Sequence, residues 1–393
     1  MEPRVQKFDV ILFGGGIAGL WTLAQLRKAG LKAILFENRE LGGTQSIASQ
    51  GIIHGGTKYA LTGKWTDSAN NISDMPKIWS DCLNGNGPID LSDVEVLTRN
   101  QLLWSESRII SGLTSFFSTS MMNSRIGKIP LSDYPDPFNT NHFKGSIFKL
   151  NEPVINVASL MESLVKKVKS YCFLLPEIPL MERNKDTWFL ELPNGQKLES
   201  KRLVLTAGQG NQRLLREIGR KKPNMQERPL HMLLLKGDLP PLFAHCLGAN
   251  STPKLTITSS PNNHEMIWYV GGQLAESGVN LSREELILSG KREIESALPR
   301  LSFSEIQWGS LEISRAEVKH KKGIRPENSF VQEADGLITC WPTKLTLAPN
   351  LADKVIKAVS RLNIDKTEDQ SFQINLPVPS LSKLPWQKEL KWS

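Results

Sequence analysis

Cysteine, long apolar runs and blocks of like charge are scarce in this sequence, and each lack excludes a class of protein. The four cysteines stand far apart with no CxxC pair, which argues against a zinc framework and a redox-active pair. We expect reduced, mostly buried thiols in a cytoplasmic protein. No run of about eighteen apolar residues occurs, so no spanning helix is predicted. The opening MEPRVQKFDV has no apolar signal segment.

Charge is present in slight excess of one sign and is not concentrated. The 393 residues include 48 Lys and Arg against 40 Asp and Glu, which gives a net charge of +8 and a pI near 9.2. This excess suits an anionic partner such as a phosphorylated substrate, a nucleic acid or an acidic membrane surface. No run of five or more basic residues occurs, so scattered surface lysines are the simpler interpretation and nucleic acid is not strongly indicated.

The most informative stretch lies near the start, where an apolar run stops at three glycines and a helix-like segment follows. Gly14, Gly16 and Gly19 occupy the G-x-G-x-x-G positions of a dinucleotide-binding unit. The first permits a tight turn, the second leaves room for a pyrophosphate, and the third lets helix and strand pack closely. The pyrophosphate would bind the N–H groups at the helix start, at Ile17 and Ala18.

An acidic residue ends the second apolar run of this unit. Glu37 follows Gly19 by 37 − 19 = 18 residues, near the spacing of a carboxylate that accepts hydrogen bonds from ribose hydroxyls. A carboxylate at this point argues against a 2′-phosphate, so the unit fits FAD or NAD. The fingerprint alone does not choose between the two.

A glycine-rich loop comes next, with Thr44 among its small hydrogen-bonding residues, and it carries a family resemblance. Residues 46–59, SIASQGIIHGGTKY, resemble the flavin-facing loop of the superfamily of D-amino-acid oxidases, glycerol-3-phosphate dehydrogenases and L-2-hydroxyglutarate dehydrogenases. The resemblance implies FAD and an α/β fold, with a discontinuous Rossmann-like FAD-binding domain and a substrate domain of antiparallel sheet plus helices. Without it, His54 is simply a buried structural histidine.

The resemblance also assigns site residues. It makes His54 the candidate base with Tyr59 or Lys58 assisting, and it matches Arg325 of GIRPE to an arginine that holds the substrate anion. A surface salt bridge is an equally simple interpretation of Arg325. The sequence departs from the family at residues 340–343, where CWPT replaces glycines. The implied flavin neighbours are Ser46, Gly51, His54, Gly55, Gly56, Ala207, Gly208, Lys344, Leu345 and Thr346.

The remaining pattern predicts the order of elements and domains. Helices are expected over Ser73–Leu83, Glu106–Phe117, a segment capped by Asn156 or Ser159, and Ser282–Leu298. A hairpin should turn at Asn194-Gly195, a strand should begin at Arg202, and β-rich sequence begins at Arg228. We expect an FAD-binding domain from 1–80, 150–225 and 323–365, a substrate domain from 81–149 and 226–322, and a tail over 366–393.

These features together predict an FAD-dependent oxidoreductase that takes a hydride from a small hydroxy acid or a glycerol-phosphate-like substrate. Its partners would be a small anionic substrate and an electron acceptor, oxygen or a quinone. An amine or amino-acid oxidase, a flavoprotein of tRNA modification and a flavin-binding protein without turnover stay open as alternatives. Trp386 and Trp392 leave a weak contact with a membrane surface open, although a packed or frayed tail is simpler.

Overall fold

The computed structural model describes residues 5–55, 72–105, 126–138, 143, 145–248, 252–320, 326, 328–360 and 370–393. Their strands are β1 Gln6–Phe13, β2 Ala33–Glu37, β3 Glu40–Leu41, β4 Val96–Thr98, β5 Gln101–Ser105, β6 Ile126–Lys128, β7 Ser146–Leu150, β8 Val154–Ile155, β9 Cys172–Leu174, β10 Leu180–Asn184, β11 Thr187–Glu191, β12 Lys197–Leu205, β13 Met225–Gly237, β14 Ala244–Leu247, β15 Leu255–Asn262, β16 Glu265–Gly271, β17 Gln307–Val318, β18 Phe330–Ala334, β19 Leu337–Trp341 and β20 Ser380–Leu381. Their helices are α1 Ile17–Lys28, α2 Met75–Leu83, α3 Val157–Val168, α4 Asn211–Glu217, α5 Gln273–Ser277, α6 Arg283–Ala297 and α7 Ala348–Ser360.

The first sheet carries the glycine-rich turn. Its parallel centre consists of β9, β2, β1, β12 and β19 in that order. The predicted hairpin at Asn194-Gly195 is confirmed, since β11 pairs antiparallel with the first half of β12. The strand expected to begin at Arg202 is the second half of that same β12, which continues beside β1 and β19.

Apolar cores cover both faces of this sheet, which is why six of the eight residues of β1 and four of the five residues of β2 are buried. On one face, α1, α3 and α7 pack together over the sheet, and Trp21 contacts Trp79 of α2 with ring centroids 4.9 Å apart. The other face packs against α4 through Leu214 and Leu215. Since parallel strands end at one edge, β1, β2, β12 and β19 bring their carboxyl ends together.

The second sheet has the strand order β17-β13-β16-β15-β14-β5-β7-β6 and is antiparallel except where β14 meets β5. Helix α6 covers one face, and Leu233, Trp268 and Trp308 lie in the core beneath it. Ser282 begins this helix as predicted, because its hydroxyl accepts from the Glu285 N–H while the Glu285 carboxylate accepts from the Ser282 N–H.

Other local predictions can be compared with the structure. Asn156 caps α3 by accepting from the N–H groups of Ala158 and Ser159. All four cysteines are described and buried, and no two of them form a disulfide bond. The helix expected over Glu106–Phe117 lies outside the described residues. Among the described residues, no helix is long and apolar enough to cross a membrane.

The domain boundaries stay predictions. Residues just past the boundary placed at 80, namely Ile89, Leu91 and Val94, pack in the core around α1 rather than in the core of the second sheet. Residues assigned to a substrate domain therefore contribute to the packing of the first sheet.

The C-terminal tail is packed, in agreement with the simpler of its two interpretations. Strand β20 pairs with β3 of the glycine-rich segment. Trp386 then contacts Tyr269 of the second sheet, with ring centroids 5.7 Å apart. Ser393 and Trp308 exchange two backbone hydrogen bonds of 2.9 and 3.0 Å. The tail thus connects the glycine-rich segment after β2 with the second sheet.

Candidate cofactor and active site

The glycine-rich turn is held by contacts that leave no space for side chains at two of its three glycines. A Cβ on Gly14, whose φ is +105°, would lie 2.4 Å from the Cα of Ala207. A Cβ on Gly19 would lie 1.9 Å from the Gly14 carbonyl oxygen. On Gly16 the nearest atom is the Ser46 hydroxyl oxygen at 3.0 Å, so the space there is more open. The turn after β1 therefore packs tightly against the end of β12 and is open at Gly16.

Polar groups around the turn are oriented by short hydrogen bonds. The Ile17 N–H at the start of α1 donates to the Ser46 hydroxyl at 2.9 Å. The Glu37 carboxylate accepts from the N–H groups of Gly15 at 2.6 Å and Arg39 at 3.0 Å. Helix N-termini favour anions because their N–H groups have no partner within the helix. The end of β2 and the start of α1 thus place a fixed carboxylate close to an anion-binding helix start.

A cavity of about 680 Å³ opens at this edge of the first sheet. It continues past the end of β12 to the end of β19 and to residues 311–316 of β17 in the second sheet. This volume falls within the range of about 300–1,000 Å³ usual for ligand pockets. The predicted cofactor residues that line it are Gly14, Gly16, Ile17, Ala18, Glu37, Thr44, Ser46, Ala207 and Gly208.

A network of side chains fixes the ends of β12 and β19 beside the cavity. Asn211 accepts from the Ala207 N–H at 2.8 Å and donates to the Cys340 carbonyl at 3.0 Å. The Trp341 indole donates to the Gly208 carbonyl at 3.0 Å. Burial raises the pKa of the Cys340 thiol, so this cysteine beside the cavity is a packed thiol. Sequence reasoning missed Asn211 and Trp341, and their roles depend on contacts between distant segments.

The predicted Lys-Leu-Thr segment leads directly into α7. Thr343 adopts a φ of +63° just before it, a conformation that residues other than glycine rarely adopt. Lys344 is buried, and Leu345 opens a 3-10 turn that runs into α7. Thr346 accepts from the His54 N–H at 2.9 Å through its hydroxyl, and its carbonyl accepts from the Trp79 indole. The segment therefore holds the backbone of the loop that carries His54.

His54 lies beside a buried carboxylate that the sequence did not reveal. Its Nδ1 is 3.5 Å from an oxygen of Glu152, whose side chain is 4 % exposed against 16 % for His54. The other Glu152 oxygen accepts from the Gly55 N–H at 2.7 Å. The His245 ring lies nearby, with centroids 6.0 Å apart, and its Nδ1 is 3.0 Å from the Thr256 hydroxyl. His54 is thus the partly exposed member of a buried polar cluster.

The other predicted site residues either lie outside the described residues or do not line the cavity. Gly51 packs on β8, where a Cβ would lie 2.1 Å from the Ile155 carbonyl oxygen, so a close backbone contact accounts for this glycine. Tyr59, Lys58, Gly56 and Arg325 lie outside the described residues. Gly19, Gly51, His54, Gly55, Lys344, Leu345 and Thr346 are absent from the described lining of the cavity, and their roles stay predictions.

Comparison with known proteins identifies the family. Residues 9–255, more than half of the chain, match the family model described as FAD dependent oxidoreductase. The chain belongs to this family. It is an FAD-dependent oxidoreductase, an enzyme whose superfamily resemblance, fold class and cofactor are those predicted from the sequence.

Known relatives agree with this assignment. The oxidoreductase is 38 % identical over 388 residues to PA4991 of Pseudomonas aeruginosa, named a probable FAD-dependent oxidoreductase, covering 98 % of this chain and 99 % of that one. The crystal structure of PA4991 superposes with a TM-score of 0.85 over 98 % and 99 % of the two chains at 35 % identity.

More distant structures share only the fold. L-alpha-glycerophosphate oxidase of Mycoplasma pneumoniae with FAD bound has a TM-score of 0.66 at 14 % identity, covering 95 % of this oxidoreductase and 100 % of that chain. Glycine oxidase of Geobacillus kaustophilus has a TM-score of 0.65 at 12 % identity, covering 94 % and 100 %.

The residues of the cavity fit FAD. Gly16 leaves open space where a diphosphate must approach backbone N–H groups, and the start of α1 supplies a favourable field for that anion. Glu37 lies at the end of β2, where a ribose hydroxyl is bound in folds of this kind. The cavity then extends to β17, so its far end lies between the two sheets. These residues would hold the cofactor of the oxidoreductase.

Proposed function

We propose that this oxidoreductase oxidises the C–H bond beside a hydroxyl group in a small anion, a 2-hydroxy acid or a glycerol-phosphate-like compound. The observation that carries the proposal is the His54–Glu152 pair, an imidazole on the loop after the cofactor motif with a buried carboxylate 3.5 Å behind it. The electron acceptor would be oxygen or a quinone. Bound FAD supplies the acceptor for the hydride.

An alcohol requires a base because its hydroxyl proton must leave as the hydride departs. An imidazole serves well near neutral pH. The Nδ1 atom of His54 lies 3.5 Å from the Glu152 carboxylate, and we assign the other ring nitrogen, Nε2, as the atom that takes the substrate proton. The carboxylate would then stabilise the imidazolium that forms. An amine substrate makes a smaller demand, since a neutral amine can lose the hydride and become an iminium ion without giving up a proton to a base, and this difference favours the hydroxy substrate.

The surroundings of His54 suit a base that must keep one orientation. Its backbone N–H is bonded to Thr346, the neighbouring Gly55 N–H is bonded to Glu152, and the carboxylate itself is buried. A buried carboxylate held by a backbone N–H loses little freedom when it orients the imidazole. The net charge of +8 favours the approach of an anionic substrate. Arg325, which lies outside the described residues, is the proposed anchor for that anion.

The test is reduction of the holoenzyme without oxygen by matched pairs of substrates. Lactate, 2-hydroxyglutarate and glycolate would be compared with alanine, glutamate and glycine, and glycerol 3-phosphate tested beside them, while the visible absorption of the flavin is followed. We expect bleaching by a hydroxy compound and none by its amino counterpart. Bleaching by amino acids alone would overturn the proposal in favour of an amino-acid oxidase. Oxygen uptake measured with the active substrate would then distinguish an oxidase from a quinone-linked dehydrogenase.

Two variants test the role of the pair. His54→Asn should slow flavin reduction by about 10²- to 10⁴-fold with its visible spectrum retained. Glu152→Gln should slow it by a smaller factor of about 10, because the amide still fills the space but carries no charge. The matched control is His264→Asn, which changes an exposed histidine in the turn between β15 and β16. If His54→Asn reduced as fast as this control, His54 would not be the base.

A further inference from the structure

The C-terminal tail forms part of the cavity that the cofactor residues line. Five of its residues, Lys383, Pro385, Lys388, Glu389 and Leu390, line the same 680 Å³ space as the glycine-rich turn. The tail is anchored on both sides of them, by β20 against β3 and by the Ser393–Trp308 backbone pair. A segment fixed at both ends along a cavity is a wall of that cavity.

Backbone hydrogen bonds place one tail residue beside the glycine-rich turn. The Ser382 N–H donates to the Leu41 carbonyl at 2.9 Å, which continues the β20–β3 pairing. The next residue along that loop, Gly42, donates its N–H to the Gly15 carbonyl at 2.8 Å. Lys383 follows Ser382 directly and therefore lies next to the segment that contacts the turn, where Gly43 also lines the cavity.

The ion pairs of the tail lysines that line the cavity also distinguish Lys383 from Lys388. Lys388 is bonded to the Glu40 carboxylate at 3.1 Å and to the Ser382 hydroxyl at 2.9 Å, so its charge is already balanced. Lys383 is exposed and makes no ion pair with any described carboxylate. Arg39 and Arg213 also line the cavity, but neither belongs to the tail. Lys383 is thus the tail cation available to an anion bound at the turn.

We propose that the tail is a functional wall of the FAD site and that Lys383 binds the diphosphate of FAD. This proposal depends on FAD binding, which the family establishes, and not on the substrate proposed above. An ammonium group near a diphosphate forms charge-assisted hydrogen bonds, which are worth more than neutral ones. Bound FAD and the packed tail would also stabilise each other, because both contact the same cavity.

The first experiment titrates the full-length apoprotein with FAD and follows flavin fluorescence, at low and at high salt. Lys383→Met should raise the Kd for FAD about 10-fold at low salt, and this difference should shrink at high salt. Lys391→Met is the matched control, since Lys391 is an exposed lysine of the same tail outside the described lining. It should change the Kd less than twofold.

Two outcomes of this titration would overturn the proposed contact between Lys383 and the diphosphate. A Kd for Lys383→Met within twofold of the wild-type value overturns the diphosphate contact. An equal loss in both variants also overturns it, because the effect would then be one of general charge. Failure of these predictions leaves the substrate tests with His54 variants unaffected.

A second measurement tests the wall itself. Thermolysin would be added to the wild-type protein with and without saturating FAD, and cleavage within residues 376–393 followed by mass spectrometry. We expect FAD to slow cleavage of the tail at least fivefold, because bound ligand stabilises the state in which the tail is packed. Equal cleavage rates with and without FAD would show that the tail and the cofactor do not stabilise each other.

Discussion

Two turns border the cofactor cavity, and both place a residue in the left-handed region, but they use different residue types. Gly14 follows β1 with a φ of +105°, whereas Thr343 follows β19 with a φ of +63°. A side chain is impossible at the first turn because it would meet the backbone of Ala207. At the second turn the threonine hydroxyl reaches the Asn328 carbonyl at 3.4 Å. A glycine is therefore required where a contact forbids a side chain, and conformation alone does not require it.

This difference explains the departure at residues 340–343 from the family's glycines. The backbone still adopts a glycine-like conformation there, and threonine bears the steric cost of about 1–2 kcal/mol. The start of α7 consequently keeps its position, with Thr346 bonded to the His54 loop. The turn before α7 is therefore kept although residues 340–343 include no glycine.

The largest expected effect comes from adding a methyl group at the first turn. Gly14→Ala should lower the free energy of unfolding by about 3 kcal/mol or more, because it combines a forbidden contact with an unfavourable φ. Gly16→Ala is the comparison, since its Cβ would approach only the Ser46 hydroxyl at 3.0 Å. It should cost less than about 1 kcal/mol but raise the Kd for FAD at least 10-fold.

Urea unfolding of the apoproteins and FAD titration measure these two quantities separately. If Gly16→Ala destabilised the apoprotein as much as Gly14→Ala, the glycines would be equivalent and the proposed division between packing and cofactor contact would be wrong. If neither variant affected FAD binding, the cavity would hold the diphosphate elsewhere.

The same contrast shows what sequence could predict. The positions of Gly14, Gly19 and Glu37 around the turn follow from local spacing, because a strand, a turn and a helix of fixed geometry hold them within 24 residues. The His54 cluster is different. Glu152 and Thr346 reach His54 from 98 and 292 residues away, and no local pattern marks either as its partner. Such contacts arise from the packing of the two sheets, which periodicity does not specify.

The second prediction concerns the other turn, where the change has the opposite sign. Thr343→Gly should raise the free energy of unfolding by about 0.5–1 kcal/mol, because relief of strain exceeds the added entropy of the unfolded chain. Thr187→Gly is the control, since the Thr187 hydroxyl also makes one long bond, 3.3 Å to the Asn184 carbonyl, but its φ is ordinary. This control should lose about 0.5–1 kcal/mol.

Urea unfolding of both variants decides the comparison. A loss of stability in Thr343→Gly would show that the hydroxyl contact outweighs the backbone strain, and threonine would then be the better residue for this turn. FAD titration of the same variant would show whether the strain is needed to shape the cavity.

The smallest expected effect on stability comes from the ion pair between Glu40, in the segment that contacts the first turn, and Lys388 of the tail. The hydrogen bond from Lys388 and then that from Ser382 lower the pKa of Glu40 below its ordinary value of 4.5. A carboxyl group with a lowered pKa in the folded state stabilises the fold above its unfolded pKa. That contribution is lost as the pH falls through the lower, folded value.

Because the Glu40 side chain is 41 % exposed, solvent screens the pair and the contribution should be at most about 0.5 kcal/mol. Glu40→Gln should therefore unfold at a slightly lower urea concentration than the wild-type protein at about pH 6, and the two should converge near about pH 3. Glu389→Gln, which changes a tail carboxylate without an ion pair among the described residues, should match the wild type throughout. A difference between Glu40→Gln and the wild type that persisted in acid would mean that the Glu40 carboxylate charge does not hold the tail, and that β20 and the Ser393–Trp308 pair anchor it unaided.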